Sequence, residues 1–219
     1  MNSKTPLILI SNDDGYQAPG INKLVDMLRP LDVKILVCAP DGPRSGYSCA
    51  FSFELPLRLW HKWSDDKVDV WACNGTPVDC VKLAIDQLLE GKMPDMVIGG
   101  INHGDNSTVN NHYGGTMGIA KEGCMKYIPS IAFSSCYYNH DANFEPLSEY
   151  VRNIVSNVLA NGLPRGVCLN VNFPAMQEFK GVKVCRMTFG RWINEVVKAH
   201  QPRGYDYYWM VGEYANAEP

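Results

Sequence analysis

A chain of 219 residues is long enough for one large α/β domain with a small appendage. With 46% hydrophobic and 20% charged residues and a formal net charge of -3, it has the balance of a soluble globular protein, and nothing marks a surface for duplex nucleic acid or a membrane. Free nucleotides and small phosphate esters stay open as ligands, because a bound cation can supply positive charge locally.

Met1-Asn2-Ser3-Lys4 leads straight into an apolar run. No stretch reaches the length of a membrane span, so a cytoplasmic protein is expected. The first strand is read over residues 7–11 and a helix from Gly20 to Leu31, with Ile21, Leu24, Val25 and Leu28 on one face. Residues 33–39 make a second strand, stopped by Pro40-Asp41-Gly42-Pro43. Residues 50–60 alternate in character and pair, in this reading, with 67–73 as an antiparallel ladder or edge extension. Pro77 to Leu89 is a helix opened by proline. Met96-Val97-Ile98-Gly99 is a short central strand running into a glycine- and asparagine-rich loop.

Thr116 to Gly123 is read as a helix, Ile131 to Ser134 as a strand, Pro146 to Asn161 as a helix and Val167 to Asn172 as a sixth apolar strand. Such βα alternation predicts a Rossmann-like, mostly parallel sheet with helices on both faces. Residues 1–180 would form this core. Residues 181–219 are extended and aromatic, with Tyr205-Asp206-Tyr207-Tyr208-Trp209, and read as a hairpin-like arm. The eight cysteines form no C-x-x-C pair and the five histidines, including His140, no H-x-x-x-H, which disfavours disulfides and a zinc enzyme.

Four polar, turn-rich segments follow strands, and open α/β sheets bind ligands at such carboxyl ends. They are Asn12-Asp13-Asp14-Gly15, then Pro40 to Gly46 with Arg44 and Ser45, then Asn74 to Asp79, and finally Gly99 to Asn106 running on to Gly114-Gly115-Thr116. Two adjacent acids repel unless something positive lies nearby, and oxygen donors without His or Cys suit a hard cation such as Mg²⁺ or Mn²⁺. Glycines ahead of a helix allow backbone N–H groups to approach an anion, so Gly114, Gly115 and Thr116 are a candidate phosphate cradle. A plainer reading stands beside each piece: Thr76 or Asn74 as a helix cap, Asn102 as a turn residue, His103 as a solvent-facing loop residue.

Taken in order, these motifs, with Pro129-Ser130-Ile131-Ala132-Phe133-Ser134, Leu169-Asn170-Val171-Asn172-Phe173-Pro174 and Pro202-Arg203-Gly204, resemble the SurE family of metal-dependent 5'/3'-nucleotidases over nearly the whole chain. The resemblance implies hydrolysis of nucleoside monophosphates with one divalent ion per subunit, Mg²⁺ or Mn²⁺. It implies metal ligation by Asp13, Asp14, Ser45 and Asn102, with Asn12, Ser45 and Gly114 to Thr116 around the phosphate. It also implies a C-terminal arm exchanged between subunits of a homodimer or homotetramer.

Two departures stand out. Family members commonly read Y-S-G-T where this chain has Tyr113-Gly114-Gly115-Thr116, and they usually continue beyond the position of Pro219, so the arm is read as truncated. The catalytic set expected on this reading is Asp13, Asp14, Asn102 and His103, with His103 or Asp105 protonating the leaving oxygen and a water attacking phosphorus. Two other readings fit less well. An aspartyl-phosphate enzyme of the haloacid-dehalogenase type needs Asp-x-Asp, whereas the acids here are adjacent. A receiver-type signalling domain would want a Lys near the Ile131 to Ser135 strand end, which this chain lacks.

Overall fold

The computed structural model describes residues 5–137 and 143–218; residues 1–4 and His140 lie outside them. In chain order the core elements are β1 (Leu7–Ser11), α1 (Pro19–Leu28), β2 (Lys34–Pro40), β3 (Leu59–Ser64), β4 (Val68–Cys73), α2 (Pro77–Leu83), β5 (Met96–His103), α3 (Gly115–Met125), β6 (Ser130–Ser135), α4 (Ser148–Asn161) and β7 (Leu169–Phe173). The seven strands form one sheet in the order β3-β4-β2-β1-β5-β6-β7. Every neighbouring pair is parallel except β3 on β4, which is antiparallel.

The strands are apolar on both faces because helices cover both. Along β1, Ile8 and Ile10 join Ile21, Leu24 and Leu28 of α1 and Val151 and Val155 of α4 in one cluster. Leu9, between them, points the other way into a cluster with Val81, Ile85 and Ile119 under α2 and α3. All three β1 side chains are fully buried. Burial of each such side chain contributes roughly 1.5–3 kcal/mol, so both layers hold β1, and the loop after it, in a fixed place.

Several boundaries differ from the sequence reading. The α1 helix stops at Leu28, and the strand expected over 50–60 begins only at Leu59. The α-helix from Pro77 gives way after Leu83 to a wider π turn, Ala84–Leu88. The largest difference is β5, which continues past Gly99 to His103. It does so because β6 accompanies it: after a register shift, Asn102 lies beside Ser134 and His103 beside Ser135. Gly100 makes the shift possible, with φ at +121° and no room for a Cβ against the Phe133 carbonyl. Asn102 and His103 therefore ride on a strand end, not a free loop.

The tail forms β8 (Gly190–Ile193), β9 (Val196–His200), β10 (Asp206–Met210) and β11 (Glu213–Asn216). The pairs β9–β10 and β8–β11 are antiparallel and nested in one hairpin, separate from the main sheet. Many of its apolar side chains are exposed, among them Phe189, Tyr208, Trp209 and Met210.

Candidate active site

β1 lies between β2 and β5, so the strand order reverses at β1 and a crevice opens at its carboxyl end. Asn12 closes the loop there. Its Nδ2 donates to the Gly15 carbonyl at 2.9 Å, and its Oδ1 accepts the Gly15 N–H at 3.1 Å. This Asx turn turns Asp13 and Asp14 out of the strand line and makes Asn12 a brace of the loop. Gly15, with φ at +103°, packs a would-be Cβ position 3.2 Å from Gly42 Cα, bringing the first and second loops together. The Arg44 N–H completes the junction by donating to the Asp13 carbonyl at 2.7 Å.

Asp13 is almost fully buried. Its Oδ1 accepts the Thr116 hydroxyl at 2.6 Å and its Oδ2 the Gly115 N–H at 3.2 Å. Desolvation still outweighs these donors; with the Asp14 charge adding to it, the carboxyl is pushed up to about 6. Burial raises Asp14 as well, against a hydrogen bond from the His103 backbone N–H. Asp14 Oδ2 is buried and accepts no hydrogen bond. A buried carboxylate oxygen with no donor, beside a second acid, is the electrostatic deficit a cation repairs.

Asn102 donates Nδ2 to the Gly104 carbonyl at 3.1 Å, so Oδ1 is the atom it could offer a cation. Ser45 is exposed in the loop tied to Asp13 through Arg44. The Arg44 guanidinium is itself engaged with Asp41 at 2.8 Å. His103 sets its ring edge-on to Phe144, centroids 5.1 Å apart. Among the described residues, no three His, Cys, Asp or Glu gather as metal ligands. A cation site here would take neutral oxygens in addition to Asp13 and Asp14, a chemistry that the side chains of Ser45 and Asn102 would fit. The set fits a hard divalent ion.

The sequence reading put Gly114, Gly115 and Thr116 around a phosphate. The structure finds three of their donors already occupied: Gly114 N–H on the Asn110 carbonyl at 2.9 Å, Gly115 N–H and the Thr116 hydroxyl on Asp13. The anion held at the start of α3 is the protein's own carboxylate, placed where the helix N-terminus favours negative charge. Gly115 is required by that approach, since a Cβ would lie 2.7 Å from Asp13 Cβ and 3.0 Å from Pro77 Cγ. The third segment is structural. Thr76 caps α2 in a reciprocal box with Asp79, and Asp79 also accepts the Ser52 N–H and hydroxyl.

One network is not evident from the sequence reading. Asn106, buried in the loop after β5, donates Nδ2 to Ser134 Oγ at 2.8 Å, and its N–H reaches Asn172 Oδ1 at 2.9 Å. Its carbonyl accepts Asn170 Nδ2 at 2.8 Å, and Asn172 Nδ2 donates to Asn170 Oδ1 at 2.9 Å. This amide network anchors the loop to β6 and β7. Its signal was the alternating Asn170 and Asn172 within an apolar strand, two polar side chains on one face.

Comparison with known proteins points to one family. The family model described as survival protein SurE matches residues 8–194. A protein called 5'-nucleotidase SurE from Phocaeicola vulgatus is 51% identical over all of this chain and 84% of its own length. One of the same name from Bacteroides thetaiotaomicron is 49% identical over all of this chain and 83% of its own length. A crystal structure of the SurE protein from Aquifex aeolicus superposes with a TM-score of 0.78 at 37% identity, covering 98% of this chain and 85% of that one.

Proposed function

This chain belongs to the SurE family, and from that premise we propose that it hydrolyses nucleoside 5'- and 3'-monophosphates to nucleoside and phosphate with the help of a divalent cation. The observation that carries the cation into this chain is Asp14 Oδ2, buried without a donor next to Asp13. Asp13, Asp14, Ser45 and Asn102 would hold the ion, Mg²⁺ or Mn²⁺. When bound, it supplies Lewis-acid stabilisation of the charge that builds on the phosphoryl oxygens.

The chain's own residues do the rest. Thr116 and Gly115 fix the Asp13 carboxylate, and the His103 N–H fixes Asp14, so neither acid reorganises during the reaction. An Asp13 or Asp14 oxygen orients the attacking water. His103, its ring seated against Phe144, protonates the leaving ester oxygen. Gly114 to Thr116 act on the phosphate indirectly, through Asp13. The adjacent acids disfavour the aspartyl-phosphate reading, the missing lysine the receiver reading, and the family match disfavours both.

Residues 1–180 serve as the catalytic core and 181–219 as an oligomerisation arm, whose exposed aromatic and apolar surface suits a homodimer or homotetramer. All eight cysteines carry free thiols, in keeping with the reducing cytoplasm. No helix among the described residues is long and apolar enough to cross a membrane. The test is phosphate release from a panel of nucleoside monophosphates with Mg²⁺, Mn²⁺ or EDTA, for wild type and Asp14→Asn. Release that needs metal and disappears in the variant supports the proposal; release unaffected by EDTA and by Asp14→Asn defeats it.

A further inference from the structure

Among the described residues, the C-terminal arm meets the active-site scaffold through a hydrogen bond from Trp192. Trp192, in β8, donates its indole N–H to Asn110 Oδ1 at 2.8 Å. The indole is held for this task. Tyr214, its partner across the β8–β11 ladder, meets it edge-on with centroids 6.0 Å apart and planes at 70°. Gly212 gives it room, since a Cβ there would lie 2.9 Å from Trp192 Cε3. Gly190 does the same for Tyr214, whose hydroxyl would overlap a Cβ at that position.

Asn110 is the hub of the turn into α3. Its Nδ2 donates to the Asp105 carbonyl at 3.2 Å, so both ends of its amide are assigned. Its carbonyl accepts the Tyr113 N–H at 3.0 Å and the Gly114 N–H at 2.9 Å. Gly114 is the N-cap of α3, and the next two residues are those that hold Asp13. A short relay thus runs from the arm, through Asn110 and Gly114, to the carboxylate at the end of β1.

We infer that Trp192 is a positioning residue for the reaction: by fixing Asn110 it sets the turn whose first helical residues orient Asp13. This rests on the nucleotidase reading above. Trp192→Phe keeps the ring and its contact with Tyr214 and removes only the donor. One net hydrogen bond corresponds to about fivefold, so turnover of a nucleoside monophosphate at saturating Mn²⁺ should fall by about that factor, with KM within about twofold of wild type. In the metal-free protein the amides of 113–116 should exchange with solvent faster in the variant. Asn110→Leu should lose at least as much, and the double variant no more than Asn110→Leu, because the two act in series.

Three results would overturn the inference. Wild-type turnover and amide exchange in Trp192→Phe is one, and losses that multiply in the double variant are another. The third is a drop in turnover that tracks a smaller assembly by light scattering. If the wild type releases no phosphate at all, the nucleotidase reading fails. The exchange rates and a Mn²⁺ titration of both single variants then decide the link from Trp192 to Asp13 separately.

Discussion

Thr116 donates its hydroxyl to Asp13 Oδ1 at 2.6 Å across 103 positions of sequence. A threonine in the first turn of a helix ordinarily turns its hydroxyl toward its own backbone. Here it crosses to the end of β1, and with the Gly115 N–H it gives each Asp13 oxygen a donor. Those two bonds hold the carboxylate in one orientation without restoring the solvation it has lost. Burial still leads, and the group sits at about 6. Asp13 is therefore oriented but under-compensated, which is the condition of an acid that awaits a cation.

Thr116→Val tests that arrangement with little change of volume. The valine leaves Asp13 Oδ1 buried without a donor, a loss of about 1–3 kcal/mol. The expected result is a kcat/KM lowered by about tenfold or more and a weaker Mn²⁺ midpoint, with the far-ultraviolet circular dichroism of wild type. A variant with unchanged metal midpoint and turnover would show that Thr116 does not support Asp13 in the reaction.

The raised Asp13 pKa fixes a sign for stability. In the unfolded chain the group titrates near 3.8 and in the metal-free fold at about 6. Its contribution is fully present below 3.8 and is lost as pH rises through 6, at a scale of about 3 kcal/mol. With EDTA present, lowering pH from 7 to 5 should raise this contribution in wild type, and the Tm difference between wild type and Asp13→Asn should narrow. With Mn²⁺ present the trend reverses, because protons and metal compete for the same carboxylate. Metal affinity should weaken below pH 6. Thermal melts at both pH values, with and without metal, check both halves.

The Asn106 network predicts a stability effect at a distance from the acids. Asn170→Leu removes the donor to the buried Asn106 carbonyl and the acceptor for Asn172 Nδ2. Urea unfolding should show a loss of about 2–3 kcal/mol. Turnover should also fall, because the loop after β5 keeps only the Asn106 N–H bond to Asn172 Oδ1 as its tie to β7. A loss confined to stability would separate that loop from the site.

How far the sequence revealed this site depended on whether each contact was local. The NDDG turn was legible because a buried strand followed by Asn, Asp and Gly defines its own geometry, and Asn12 bonds Gly15 within the same four residues. The parallel core was legible from apolar runs separated by amphipathic helices, since both faces of the sheet need covering. The extent of β5 was not. Gly99-Gly100 reads as a strand breaker, and only pairing with β6 carries the strand through to His103. The role of Thr116 was hidden for the same reason. A Gly-Gly-Thr helix start favours an anion by local chemistry, but that the anion is Asp13 depends on packing α3 against β1. Trp192 and Asn110 are 82 positions apart, and neither residue carries a local sign of the other.

The departure at Gly114 gives the sharpest prediction. Relatives with Y-S-G-T suggest that Gly114→Ser would restore a useful hydroxyl. Cap preference points the same way, since serine exceeds glycine at an N-cap by a few tenths of a kcal/mol, roughly. The backbone allows it, with φ at -69° and ψ at 126°. Packing opposes it: a Cβ at Gly114 would overlap Asn106 Oδ1 and lie 3.4 Å from the Asn110 carbonyl. Asn106 cannot give way cheaply, because its side chain is bonded to Ser134 and its backbone to Asn170 and Asn172. Overpacking of this kind costs about 1–3 kcal/mol and outweighs the cap. Gly114→Ser should therefore lose stability and turnover, and Gly114→Ala should lose as much, since the Cβ and not the hydroxyl is at fault. Side-by-side kcat/KM and urea midpoints decide it: a serine variant more active than wild type, beside an impaired alanine variant, would mean that Asn106 yields and the hydroxyl serves the phosphate.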